Sequence, residues 1–151
     1  MQTMPYRHLL VPTDGSALSA QAIDQAIGLS KLMGARLTVL HARPPVPLPI
    51  LGMGDAIDPV TIDTLVRASN EASERVLSEA LAQVRGAGLE PAQQAIEHAS
   101  PHQAIVTAAR ELGCDLIVMA SHGRRGLEGL LLGSETQKVL ATSPCPVLVV
   151  R

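Results

Sequence analysis

The hydrophobic and polar positions of this chain follow two alternating periods. Short apolar runs bounded by turn residues occur at Tyr6–Val11, Leu37–Ala42, Leu116–Met119 and Pro146–Val150. Runs of this length predict buried strands, of the kind found in a parallel sheet covered on both faces. A weaker run at Glu90–Ala99, best at Ala95 and Ile96, predicts another. Between the runs, apolar residues recur at helical spacing. The first set is Ala22, Ile23, Ala26, Ile27 and Ser30. The second is Ile62, Leu65, Ala72, Val76, Ala80 and Val84, with Arg67, Glu71, Glu74, Arg75 and Glu79 between them as a solvated face. A third helix carries Ala104, Ile105, Ala108 and Leu112, and a fourth opens at Gly133-Ser134 with Val139 and Leu140 on its inner face.

Helix punctuation agrees with these spans. Ser16 and Asp58-Pro59 are N-terminal signals, and Ser100-Pro101-His102-Gln103 reads as a capping box. Gly34 and Gly113 stand just past two helix ends, and the second helix ends near Gly86 or Gly88. Five strands alternating with four helical crossovers predict an α/β fold. Its form is a doubly wound five-stranded parallel sheet with right-handed connections and helices on both faces. No internal repeat is present, and 151 residues suit a single domain over 1–151.

Composition narrows the function. The chain is 46% hydrophobic but has no Phe, no Trp and one Tyr, so the core is aliphatic. Aromatic platforms for single-stranded nucleic acid are absent, and a net charge of −2 without a basic block argues against nucleic-acid binding. No apolar run approaches a membrane span, and Met1–Asp14 lacks the apolar core of a signal peptide. Cys114 and Cys145 form no C-x-x-C pair and read as buried free thiols in a reducing compartment. The cytoplasm is the expected location.

The chemistry concentrates in Cys114–Leu140. A strand is followed by a loop carrying Gly123, Gly126, Gly129 and Gly133, and then by a helix N-terminus. Glycines let backbone N–H groups approach an anion, and the helix end attracts it; phosphate is the expected anion. The plainer reading is that these glycines only permit tight turns. The pattern is neither a P-loop nor a dinucleotide fingerprint. Asp14 has two readings: a turn carboxylate, or a ligand group over the carboxyl end of the first strand. His41 is either a ligand or a strand-end histidine satisfied by a backbone group. His98 and His102 do not share a helix face, which argues against a metal pair. Arg43–Ala56 is rich in Pro and Gly and reads as an extended connector, or as a flap laid on the site by Ile50, Leu51 and Met53.

Three stretches carry a family resemblance. Gly123, nine residues, then Gly133-Ser134 resembles the G-x2-G-x9-G-[ST] motif of the ATP-binding universal stress proteins, with Ala120 at the first glycine. Val11-Pro12-Thr13-Asp14-Gly15-Ser16 and Ser143–Val150 are similar to other parts of that family. The resemblance implies strand order 3-2-1-4-5 in a Rossmann-like sheet. It further implies that Pro12, Thr13, Asp14 and Ala42 hold adenine and ribose, Ala42 through its backbone. Met119, Ala120, His122 and Gly123 would line the ribose and α-phosphate, with Gly133, Ser134 and Glu135 at the β- and γ-phosphates. ATP and Mg²⁺ are the implied ligands, and a homodimer through the C-terminal strand the implied assembly.

The expected function is a nucleotide-dependent stress-response sensor or switch acting on a downstream protein partner, without efficient catalysis. The alternatives are a nucleotide-free dimeric interaction module, favoured by Ala120, and a slow ATP hydrolase or self-phosphorylating protein using His122. Glu135 departs from the family, where an apolar residue often follows Gly-Ser. Its carboxylate suits the helix dipole but competes with phosphate, and Arg124 and Arg125 are either its offset or solvated.

Overall fold

Leu9, Leu10 and Val11 have no exposed surface, and the sheet is built outward from them. They lie in β1 (His8–Pro12), followed by α1 (Ala17–Met33), β2 (Arg36–Arg43), α2 (Pro59–Gly86), β3 (Ala92–Glu97), α3 (Pro101–Leu112), β4 (Leu116–Ala120), α4 (Ser134–Thr142) and β5 (Val147–Val150). These elements come from a computed structural model that describes residues 5–46, 58–123 and 132–151. The part of the suggested flap from 47 to 56, with Ile50, Leu51 and Met53, lies outside the described residues, as do Arg124, Arg125, Gly126 and Gly129.

All strand pairs are parallel, in the order β3-β2-β1-β4-β5. The chain leaves β1 towards β2 and β3, then returns to the other side of β1 as β4. Leu10 therefore pairs with Thr38 on one side and Ile117 on the other. A parallel strand covered on both faces needs apolar residues at every position, and the two cores show why. Leu9, Val11, Leu37, Val39, Leu116 and Val118 pack under α1 and α2. Leu10, Leu40, Ile117 and Met119 face the other way, against Ile105, Ala108 and Ala109 of α3 and Val139 of α4.

Three expectations about the helices need correction. Only Ala80, Leu81 and Val84 of α2 are buried, whereas Leu65 and Ala72 are exposed. At 1.5 Å per residue a helix of this length runs about 42 Å, while the longest strand spans about 26 Å, so its first half overshoots the sheet. On α4, Val139 is buried but Leu140 is 44% exposed. Residues 139 and 140 are about 100° apart around a helix, and Thr136, three before Val139, takes the second inward place. Finally, Ser100 makes no side-chain cap bond to α3, so the expected capping box does not form. The first strand also begins later than its apolar run. The amides of Arg7 and His8 are taken by the Asp115 carboxylate at 2.9–3.1 Å.

The α1 signals act as local chemistry requires. Ser16 accepts the Ser19 amide at 3.2 Å, and Gly34 adopts the left-handed conformation that ends the helix. Both cysteines are free. Burial pushes Cys114, which is buried, up to about 11 and also raises half-buried Cys145.

Candidate functional site

The strand order reverses between β1 and β4, and the residues that follow these two strands meet there. Thr13, just past β1, is 6% exposed and held from several directions. Its amide donates to the Leu40 carbonyl at 2.8 Å, and its hydroxyl lies 3.0 Å from that of Ser19. The Thr13 hydroxyl also accepts the Gly15 amide at 3.1 Å. Its carbonyl accepts a hydrogen bond from Nδ1 of buried His41 at 2.8 Å, which places the imidazole proton on Nδ1. His41 is thus the strand-end histidine with a backbone partner.

Asp14 serves as the turn carboxylate. Oδ1 accepts the Ser16 amide at 2.9 Å, forming the turn into α1. Oδ2 faces Gly123 so closely that a Cβ at residue 123 would overlap it. Gly123 is not in the left-handed region, so the requirement for glycine there is one of space. Ala42 is half-buried on β2, opposite Ile96 and one strand repeat beyond Leu40, which pairs with Pro12.

From the other side come Met119, buried, and Ala120, half-buried at the end of β4 opposite Val150. Among the described residues no residue other than glycine has a positive φ, so alanine at position 120 carries no backbone strain. The Ala120 carbonyl accepts the Thr136 hydroxyl at 3.0 Å, tying the end of β4 to the first turn of α4. The next residue, Ser121, donates its amide to Val150 at 2.7 Å, and its carbonyl accepts the Gly133 amide at 2.6 Å. Nδ1 of His122 lies 3.2 Å from the Ser121 hydroxyl. A Cβ on Gly133 would sit 3.1 Å from the His122 Cα and 3.2 Å from the Ser121 carbonyl oxygen. A side chain at residue 133 would press on the backbone of residues 121 and 122, which would have to give by a few tenths of an ångström.

Gly133 is also the N-cap of α4 and contributes no capping side chain. The amides of Ser134, Glu135 and Thr136 have no partner within the helix, as at any helix start, and Ser134 is exposed. Glu135 turns away. Its Oε2 accepts both the backbone amide of His102, at 2.8 Å, and that ring's Nδ1–H, at 2.9 Å. Its Oε1 accepts Lys138 Nζ at 3.2 Å. Burial alone would raise the Glu135 carboxyl, but the His102 amide, Lys138 and the His102 ring outweigh it and hold it below the usual range. The first turn of α3 is capped from a distance instead: the His102 amide is taken by a carboxylate 33 residues further on, which no local sequence pattern signals, while the Gln103 amide of the expected box donates to the Ser100 carbonyl at 3.1 Å.

Asp14 and Gly123 are thus in contact across β1 and β4, and Gly133 lies against Ser121 and His122. Glu135 is directed at α3. His98 accepts the Ser100 amide on its Nδ1 at 2.9 Å while His102 bonds Glu135, so the two histidines serve separate roles. Among the described residues no group of three His, Cys, Asp or Glu is placed to hold a metal ion. Nor is any of their helices long and apolar enough to cross a membrane.

These features define an open, doubly wound α/β protein whose strand order reverses between β1 and β4, the point at which sheets of this class bind ligands. The universal stress protein family model matches residues 5–151, and the chain belongs to that family. It is 34% identical over 146 residues to the "Universal stress protein in QAH/OAS sulfhydrylase 3′ region" of Thermus aquaticus, covering 97% of this chain and 99% of that one. Among solved structures it is similar to universal stress protein UspA from Lactobacillus plantarum, with a TM-score of 0.75, 25% identity and coverage of 97% and 98%. It is also similar to a universal stress protein in complex with cAMP, with a TM-score of 0.71, 28% identity and coverage of 97% and 98%.

Proposed function

We propose that this chain, as one domain over 1–151, binds an adenine nucleotide across the ends of β1 and β4 and acts as a nucleotide-dependent sensor or switch in the cytoplasm. The observation that carries the reading is the Asp14–Gly123 contact. A carboxylate fixed at the point where the strand order reverses requires a residue without a side chain opposite it, beside a helix start with amides to offer. The similarity to a universal stress protein in complex with cAMP supports an adenine nucleotide as the ligand class. ATP is our choice within that class. Pro12, Thr13, Asp14 and the Ala42 backbone would meet the nucleoside, and Met119, Ala120, His122 and Gly123 the ribose and first phosphate. The amides of Gly133, Ser134 and Glu135 would be nearest the outer phosphates, with the Ser134 hydroxyl. Because the Gly133 amide already donates to Ser121, the Ser134 and Glu135 amides are the better donors.

Mg²⁺ would be held mainly by the phosphates, since the described carboxylates near the reversal point are engaged elsewhere, and it would supply charge neutralisation there. Those engagements also favour a sensor over a catalyst. Asp14 holds the turn into α1 and Glu135 holds α3. The unstrained backbone at Ala120 weakens the case for a nucleotide-free module. Titration calorimetry with ATP and Mg²⁺, together with acid quenching of gently purified protein and a search for released nucleotide, tests the proposal. Absence of binding heat, of thermal stabilisation and of released nucleotide would overturn it.

A second reading concerns assembly. β5 lies at the sheet edge and Leu148 on it is 38% exposed. We infer a two-fold homodimer in which the β5 strands of two copies pair antiparallel.

A further inference from the structure

The first turns of α3 and α4 are joined by one side chain. α3 starts at Pro101 without a side-chain cap of its own, and α4 starts at Ser134 on a glycine cap that has no side chain. Glu135, in the first turn of α4, gives one oxygen to both the amide and the ring of His102 in the first turn of α3. Its other oxygen takes Lys138, one turn along α4. In the same α4 turn, about 100° around the helix, Thr136 bonds the Ala120 carbonyl. The turn is thus held between β4 and α3. Without the His102 contacts, the Glu135 carboxylate would be free to swing towards the amides at the start of its own helix, where it would act as a competing anion.

We propose that Glu135 is a positioning residue. By capping α3 it fixes the first turn of α4 and keeps its own charge out of the anion-facing side of that turn. The proposal rests on the nucleotide reading for its effect on affinity, but its structural content is independent of any ligand.

Amide hydrogen exchange on the ligand-free chain, compared among wild type, Glu135→Ala and Glu135→Gln, reads that content directly. Glu135→Ala is expected to speed exchange about tenfold at His102 and, together with it, at Gln137, whose amide closes the first turn of α4 on the Gly133 carbonyl. Glu135→Gln, which keeps an acceptor oxygen, is expected to restore both to within about threefold. Lys138→Ala, which removes only the exposed partner, should leave both unchanged. Where wild type binds ATP, Glu135→Ala should weaken it about tenfold, with rescue by glutamine. Unchanged exchange at Gln137 in Glu135→Ala, or tighter ATP binding by that variant, would overturn the proposal. A wild type that fails to bind ATP would remove the nucleotide reading while the exchange data still decide this one.

Discussion

The Asp14 carboxylate occupies the space where a side chain at Gly123 would begin. The two residues lie on opposite sides of the point where strand order reverses, one after β1 and one after β4. Because the Ser16 amide holds the other carboxylate oxygen, moving Asp14 aside would strain that hydrogen bond at the start of α1. Gly123→Ala is expected to destabilise the chain by about 1–3 kcal/mol, the usual range for overpacking. In an Asp14→Ala background the same change should cost about 1 kcal/mol less, since the overlapping atoms are gone. Urea unfolding of the four members of this cycle measures the coupling. Additive effects would show that the contact does not constrain the site.

Gly133 separates a folding requirement from a binding one. The family motif suggests that a bulky side chain there would block a phosphate. The nearest atoms to its would-be Cβ, however, belong to the chain's own backbone at Ser121 and His122. Gly133→Val should therefore lower the unfolding midpoint in the absence of any ligand, and Gly133→Ala should do so less, by about 1 kcal/mol. Differential scanning fluorimetry without nucleotide checks this. Unchanged midpoints in both variants would mean that the crossing of β4 and α4 relaxes freely. Ser134→Ala is the cleaner probe of ligand binding, because that side chain is exposed.

At the other end of β1, His8 gives the chain an acid-sensitive core. Its Nε2 lies 2.7 Å from the Thr38 hydroxyl, and Arg36 approaches Nδ1 at 3.4 Å. Burial first, and Arg36 second, lower its pKa from the ordinary 6.5, against the opposing pull of the Leu112 carbonyl and Asp115. The folded state holds the neutral ring, and the unfolded chain takes up the proton first as pH falls through 6.5. Stability is therefore complete above that value and declines below it, until the folded ring also protonates. The unfolding midpoint in urea should drop between about pH 7.5 and 5.5, and His8→Gln should flatten that drop. Glu135 acts in the same direction but only below its ordinary 4.5, so the two windows are separable. A flat profile for wild type between pH 7.5 and 5.5 would remove His8 from this role.

Much of this architecture is legible in local pattern because the residues that build it are neighbours in sequence. Parallel strands buried on both faces leave continuous apolar runs, as at Leu9-Leu10-Val11, and α1 carries its own cap at Ser16 and its own stop at Gly34. The helix faces of α2 and α4 were less legible. Periodicity identifies an apolar stripe without saying how far the sheet extends beneath it, and so Leu65 falls beyond the support that Leu81 enjoys. The placement of Glu135 was not legible at all. Its partner His102 belongs to another helix, and an acid after Gly-Ser reads from sequence as a charge near a phosphate or one turned away, with nothing local to choose between them. The glycines at 123 and 133 stood out as a motif, but the physical demand at each comes from atoms brought in by tertiary structure.

The edge strand carries the last prediction. Among the described residues β5 pairs only with β4, through Ile117–Val147 to Ala120–Val150, which puts its other row of backbone donors and acceptors at the sheet edge. Its residues are Val-Leu-Val-Val, with Leu148 exposed and no charge within the strand. An apolar edge of this kind is a template for another strand, and antiparallel pairing of two identical edges closes on itself under two-fold symmetry. Light scattering is expected to give a mass about twice the 15.8 kDa of the chain. Leu148→Asp should shift the protein to monomer, since two carboxylates would then be brought together near the axis of the pair. The variant should keep its fold, because Leu148 is absent from both cores. A wild type that stays monomeric at micromolar concentration would refute the dimer, and a Leu148→Asp variant that remains fully dimeric would place the interface away from β5.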